Sequence, residues 1–251
     1  MQWKVFLASA TGAYHLTNDQ PCQDAGHFAV NGNVLVGVVC DGAGSAAESQ
    51  AGSRFFAERI TQLASAAFGT EELAARSDAE WHEAIAGIVE QARSELAETA
   101  AAQERSLRDF ASTLVGCVTS RDGGCFFHIG DGFAIHQRLT GESVLSRPEN
   151  GEYADETYFV TDESWKEHLR VTPLTGIERG CLIGLMSDGT SPFAVDGPKT
   201  GFFRPFIDPV VKFLREATEQ NGTQALQNVL ADEKTHRITA DDKTLLLALA
   251  H

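Results

Sequence analysis

A chain of 251 residues with 35 acidic and 20 basic side chains carries a formal charge of −15. Such a surface repels nucleic acid and anionic membrane, which excludes both as ready partners. No apolar run reaches the roughly 20 residues of a membrane span, and Met1-Gln2-Trp3-Lys4-Val5-Phe6-Leu7 is too short an apolar stretch for a secretory signal. The five cysteines (Cys22, Cys40, Cys117, Cys125, Cys181) form no CxxC pair. Three of them sit inside apolar runs, so they read as reduced thiols in a cytoplasmic protein.

In chain order, residues 3–9 read as a strand. Phe28–Val30 and Val34–Cys40 form a hairpin across Asn31-Gly32-Asn33. Phe56, Ile60, Leu63 and Ala67 recur at helical spacing and mark a helix over 46–67. A second helix over Asp78–Gln103 puts Trp81, Ile85, Ile88, Ala92 and Leu96 on one face. Strands follow at Thr113–Thr119, Cys125–Ile129 and Phe133–Arg138, with Arg121-Asp122-Gly123-Gly124 as the first turn. Residues 140–180 read as irregular, with short strands at Tyr158–Val160 and Glu167–Val171. Helices are expected over 206–220 and 223–234, before a last strand. Strands in hairpins with helices arriving in pairs imply an α+β fold, sheets inside and helices outside. One domain over 1–251 is expected.

Three apolar runs meet aspartates. Val34–Cys40 runs into Asp41-Gly42, Cys181–Ser187 runs into Asp188-Gly189, and Asp241-Asp242 precedes Thr244–Leu249. A carboxylate at the mouth of a buried strand costs desolvation unless it meets a cation or donors. Three such mouths suggest convergence on a hard divalent metal, and oxygen ligands select Mg²⁺ or Mn²⁺ over zinc.

The ordered set Gln23-Asp24-Ala25, Asp41-Gly42-Ala43-Gly44, Ser112-Thr113, Gly130-Asp131-Gly132, Ser187-Asp188-Gly189-Thr190 and Asp241-Asp242-Lys243-Thr244 resembles the metal-dependent protein serine/threonine phosphatases of the protein phosphatase 2C (PP2C) family. The resemblance spans nearly the whole chain and points to a short bacterial branch. It implies a four-layer α-β-β-α sandwich, two central antiparallel sheets flanked by helix pairs, with a two-metal Mn²⁺ or Mg²⁺ centre between the sheets. By the same resemblance Asp41 bridges both metals, Gly42 contributes its carbonyl, and Asp188 and Asp241 are terminal ligands. Asp24 reaches metal through water, and Asp131 belongs to a third, weaker site. Asp242, where Asn is usual, reads as a structural group beside the ligand. The implied reaction is hydrolysis of phosphoserine and phosphothreonine by a water bridging the two metals, without a phosphoenzyme. The implied partners are a phosphorylated protein and a cognate kinase system.

One position departs from the family. The arginine that binds substrate phosphate in many members is replaced by Asp19, and the nearest basic group upstream is His15. His15 is therefore the candidate phosphate contact; its alternative is an exposed loop histidine. His128, inside an apolar strand, reads as a packed histidine. Two rival functions compete with this reading. Ser187-Asp188-Gly189-Thr190 looks like a haloacid-dehalogenase motif, but Met186 stands where that family needs its nucleophilic aspartate. A catalytically inactive binding module of the same fold would be signalled by lost aspartates, and Asp41, Asp188 and Asp241 are all present.

Overall fold

The computed structural model describes residues 1–69, 73, 76–149 and 157–251. Two five-stranded antiparallel sheets form its centre. One contains β1 (Trp3–Ala10), β6 (Phe133–Gln137), β7 (Ser143–Ser146), β9 (Leu182–Met186) and β10 (Lys243–Ala250), in the order β1-β10-β9-β6-β7. The other contains β2 (Ala25–Asn31), β3 (Val34–Cys40), β4 (Leu114–Ser120), β5 (Gly123–Ile129) and β8 (Arg170–Leu174), in the order β2-β3-β4-β5-β8.

Strand alternation sorts the apolar residues into three layers. Leu246 and Ala248 of β10 face Leu35 and Val39 of β3 between the sheets. Their neighbours Leu245, Leu247 and Leu249 turn outward onto Ile207, Leu214, Leu226 and Leu230. These come from α6 (Arg204–Glu216) and α7 (Glu219–Leu230). On the opposite side Val34, Val36 and Val38 meet Phe56, Ile60, Trp81 and Ile85. Those belong to α2 (Ser49–Phe68) and α3 (Asp78–Ala102), the latter opened by a Ser77/Glu80 capping box. The expected four-layer sandwich is therefore present. Short helices α1 (Ala13–Thr17), α4 (Trp165–His168), α5 (Ser191–Ala194) and α8 (Glu233–His236) complete the set among the described residues. No helix there is long and apolar enough to cross a membrane.

The differences from expectation lie in the middle of the chain. Gly123 and Gly124 start β5 instead of closing the turn. Strand β7 was not expected; Gly141, at φ +90°, and a bond from the Arg138 N–H to the Glu142 carbonyl fold it back onto β6. Tyr158–Val160 is no strand, because the Phe159 N–H donates to the Asp162 carboxylate and holds a local turn. The strand expected at Glu167–Val171 is α4 followed by β8: Trp165 is buried against α3 and holds the segment helical before β8 pairs with β5. Residues 150–156 of the expected irregular stretch lie outside the described residues.

Leu246 is fully buried between the sheets, whereas Leu139 is largely exposed. Leu246→Ala is expected to cost about 2–5 kcal/mol of unfolding free energy in urea titrations. Leu139→Ala should stay within about 0.5 kcal/mol.

Candidate metal centre

Each candidate carboxylate is held by the backbone at a strand end. Asp41 follows β3 and exchanges two bonds with Thr113: its N–H donates to Thr113 Oγ1 (3.0 Å), and its carbonyl accepts from the Thr113 N–H (2.8 Å). Ser187, after β9, accepts from the Thr244 N–H at 2.9 Å and donates its hydroxyl to Asp24 Oδ2 at 2.7 Å. Asp188 is next in the chain and opens a tight turn, Asp188–Thr190. That turn lies against the β10 entry so closely that a Cβ on Gly189 would collide with the Asp242 carbonyl oxygen. Asp131 sits on the crossover from β5 to β6, between the two sheets. Asp241 precedes β10.

Carboxylate oxygens of Asp41, Asp131 and Asp188 lie within 4.8 Å of one another. They open onto a cavity of about 310 Å³ that Gly42, Asp241, His15, Tyr14, Gln23 and Phe159 also line. Asp24 does not line it. It is buried one step deeper, within hydrogen-bonding reach of Asp41. No lysine or arginine lines the cavity among the described residues.

Burial pushes these carboxyls up. Asp24 is raised to about 7, by desolvation first and then by Asp242 and Asp188. Asp188 is raised to about 6, again chiefly by desolvation, with Asp131 and Asp241 adding to it. Asp41 is raised well above the usual range by burial and by the charges of Asp24 and Asp188. One buried oxygen on each of Asp24, Asp131 and Asp188 has no hydrogen-bond donor among the described residues. Orphaned acceptors of this kind need a partner. An all-oxygen donor set with three unfilled acceptors fits a hard divalent cation, so the residues present suit Mg²⁺ or Mn²⁺.

Asp242 has a different task. It is buried, and its carboxylate accepts from the Gly12 N–H (2.6 Å), the Gln23 N–H (2.6 Å) and His15 Nδ1 (2.8 Å). The structural role expected for it agrees with this. His15 is not an exposed loop histidine: it is the buried residue of α1, tied to Asp242, with its ring in the cavity wall. Asp19 is exposed and brings no cation to the cavity. His128 is fully buried beside Ser146, as a packed histidine should be.

Several residues of the site were not singled out in the sequence. Ser187 and Thr113 lie within the motifs named above, Ser187 beside Asp188 and Thr113 in the Ser112-Thr113 pair, but the sequence assigned neither a role. Thr157, whose hydroxyl donates to Asp131 Oδ2 at 2.7 Å, lies in the irregular stretch and has none. Lys243 is also buried and donates from Nζ to the Asp241 carbonyl at 2.9 Å, bringing one cation behind the carboxylates.

The family model for protein phosphatase 2C matches residues 11–231. The chain belongs to this family. Serine/threonine-protein phosphatase 3 of Escherichia coli is 30% identical over 259 residues, covering 99% of each chain. Among solved structures, a bacterial serine phosphatase matches with a TM-score of 0.65 at 16% identity, covering 100% of this chain and 98% of the other. RsbX in complex with magnesium matches with a TM-score of 0.57 at 14% identity, covering 99% and 96%. At those identities the likeness concerns the fold. The enzyme class expected from the sequence agrees with the family.

The raised carboxyls set the pH behaviour of the metal-free phosphatase. A carboxyl with a higher pKa folded than unfolded favours folding when protonated, and that contribution fades as pH rises from about 4 through the folded values of about 6 and 7. Chelator-treated protein should therefore melt higher at pH 5 than at pH 7.5, and Asp24→Asn should flatten the difference. Added Mn²⁺ should raise the melting temperature by several degrees at pH 7.5 and by much less at pH 5. Calorimetry across that range checks all three.

Proposed function

We propose that this phosphatase hydrolyses phosphoserine and phosphothreonine in proteins, using two divalent cations, Mn²⁺ or Mg²⁺. Asp41, Asp188 and Asp241 would hold them, with Gly42 and, through water, Asp24. Asp131 would serve a third, weaker site. The observation that carries this reading is the charge of the cavity: carboxylates crowd it and, among the described residues, no lysine or arginine lines it. A phosphate dianion enters such a cavity only if cations come first. The magnesium complex of the fold neighbour RsbX supports the same choice of ion. When bound, such metals supply an acidified water as nucleophile and neutralise charge on the phosphoryl group.

The protein's own residues then have separate tasks. Asp41, at the centre of the cluster, has Thr113 to fix its backbone and Asp24 beneath it. Ser187 holds Asp24 so that its second oxygen points away from the hydroxyl. Tyr14 and Phe159 give the cavity an aromatic edge beside the carboxylates. His15 spends Nδ1 on Asp242, which leaves Nε2 as the ring nitrogen for the phosphate. No cysteine lines the cavity, so a phosphocysteine intermediate has no candidate nucleophile among the described residues.

Phosphopeptide hydrolysis should appear with Mn²⁺ and vanish in excess chelator. Full activity after exhaustive chelation overturns the proposal, and metal binding without turnover points to a non-catalytic binding module. Asp41→Asn should lower kcat on the order of 100-fold or more, beyond any other single ligand change. His15→Asn keeps a donor for Asp242 and removes the second ring nitrogen. It should raise KM roughly tenfold with an unchanged melting temperature, as expected for one lost bond to a charged group. Equal KM for both proteins leaves His15 as an anchor only.

A further inference from the structure

Asp131 differs from the other carboxylates of the cluster in having glycine on both sides. Gly130 adopts φ +104°, a region that side chains avoid. Glycines give the crossover the sharp path it needs, but they constrain the backbone weakly. Something else must fix where the Asp131 carboxylate points.

Two side chains from outside the loop meet that need. Thr157 donates its hydroxyl to Asp131 Oδ2 at 2.7 Å, and Oδ1 is left buried without a donor among the described residues. The Thr157 segment is itself tied down nearby, where the Val160 N–H donates to the Ser112 carbonyl at 2.8 Å and Arg93 donates to the Val160 carbonyl. Arg170 lies opposite His128 in the β5–β8 register. Its Nη2 donates to the Gly130 carbonyl at 3.4 Å, its Nη1 donates to the Arg147 carbonyl, and its Nε pairs with Glu149 at 3.2 Å. The Glu149 N–H reaches the same Gly130 carbonyl at 3.1 Å. One planar guanidinium thus joins β8, the crossover and the 147–149 segment, a geometry that the fork of arginine suits and lysine cannot reproduce.

We propose that Thr157 and Arg170 are positioning residues that aim the free Oδ1 of Asp131 toward Asp41 and Asp188. Thr157 fixes the carboxylate and Arg170 fixes the backbone beneath it. The proposal rests on the reading of this cluster as a metal centre. Residues that orient a ligand are commonly worth 10–100-fold in metal affinity.

The test is a Mn²⁺ titration of the full chain, with free Mn²⁺ read by electron paramagnetic resonance, beside kcat and KM at each metal concentration. Thr157→Val and Arg170→Met should each weaken the weakest Mn²⁺ by about tenfold. Both should lower kcat at limiting Mn²⁺ and leave KM unchanged. Thr157→Ser should restore binding, while Arg170→Lys should not. A lowered melting temperature with unaltered Mn²⁺ binding in both variants overturns the positioning role and leaves them as structural contacts. Asp131→Asn separates the two ideas. If it leaves Mn²⁺ binding unchanged, the metal role of Asp131 fails. If it weakens binding while Thr157→Val and Arg170→Met do not, the positioning role alone fails.

Discussion

Like-charged carboxylates held in one buried volume repel one another, and most of the structure around the site acts to hold them against that repulsion. Asp41, Asp131 and Asp188 crowd within a few ångströms, with Asp24 buried beneath. Among the described residues no lysine or arginine joins them in the cavity wall. The compensation is geometric: Asp41 and Asp188 come where strands stop, so the sheet hydrogen bonds fix their backbones before their charges are counted, and Asp131, on its glycine crossover, takes a hydrogen bond from Thr157. The pleated core thereby supports an arrangement that carboxylates free in solution would not adopt. The same arrangement leaves acceptors open for divalent cations.

Asp242 completes the frame without joining the cluster. Its two oxygens collect three donors from the Gly12–Gln23 segment, enough to keep a buried carboxylate satisfied. That segment delivers His15 and Tyr14 to the cavity wall and leads into Asp24. Removing the Asp242 charge would therefore disturb the wall, the deep aspartate and the entry to β10 together. His128 illustrates the opposite solution for a buried polar group. Burial, with Arg170 beside it, holds its pKa well below the usual range, so it remains a neutral hydrogen-bonding residue.

The legible parts of the sequence were those governed by periodicity and by strand ends. The continuous apolar runs at Val34–Cys40 and Thr244–Leu249 each feed two layers of the core, and the helical stripes through Phe56 and Ile60 and through Trp81 and Ile85 cover one of them. The aspartates that terminate the runs could be read because a charge beside an apolar run has few structural excuses. The segment 140–180 resisted reading. There, β7 depends on a hairpin turn at Gly141, α4 on Trp165 finding the α3 face, and the Phe159 turn on a single aspartate side chain. Contacts made across the fold decide these elements, and local pattern does not record them. The same reason hid Thr157, whose partner lies 26 residues away. It also hid the second duty of His15, because a pairing with Asp242 across 227 residues has no local signature.

The link between Gly12 and Asp242 spans 230 residues, and the bonds of His15 and Gln23 to the same carboxylate span nearly as many. During synthesis the Gly12–Gln23 segment must wait for its partner until the chain has grown 230 residues past Gly12. Contacts of such long separation form late and slowly. A nascent chain on the ribosome can build β2 through β5 and the α2–α3 layer while its cavity wall is still unmade. Only when β10 emerges and inserts between β1 and β9 do His15, Asp24 and Asp241 come together. The order of translation thus withholds a finished phosphatase site until Asp242 and the strand after it have been made.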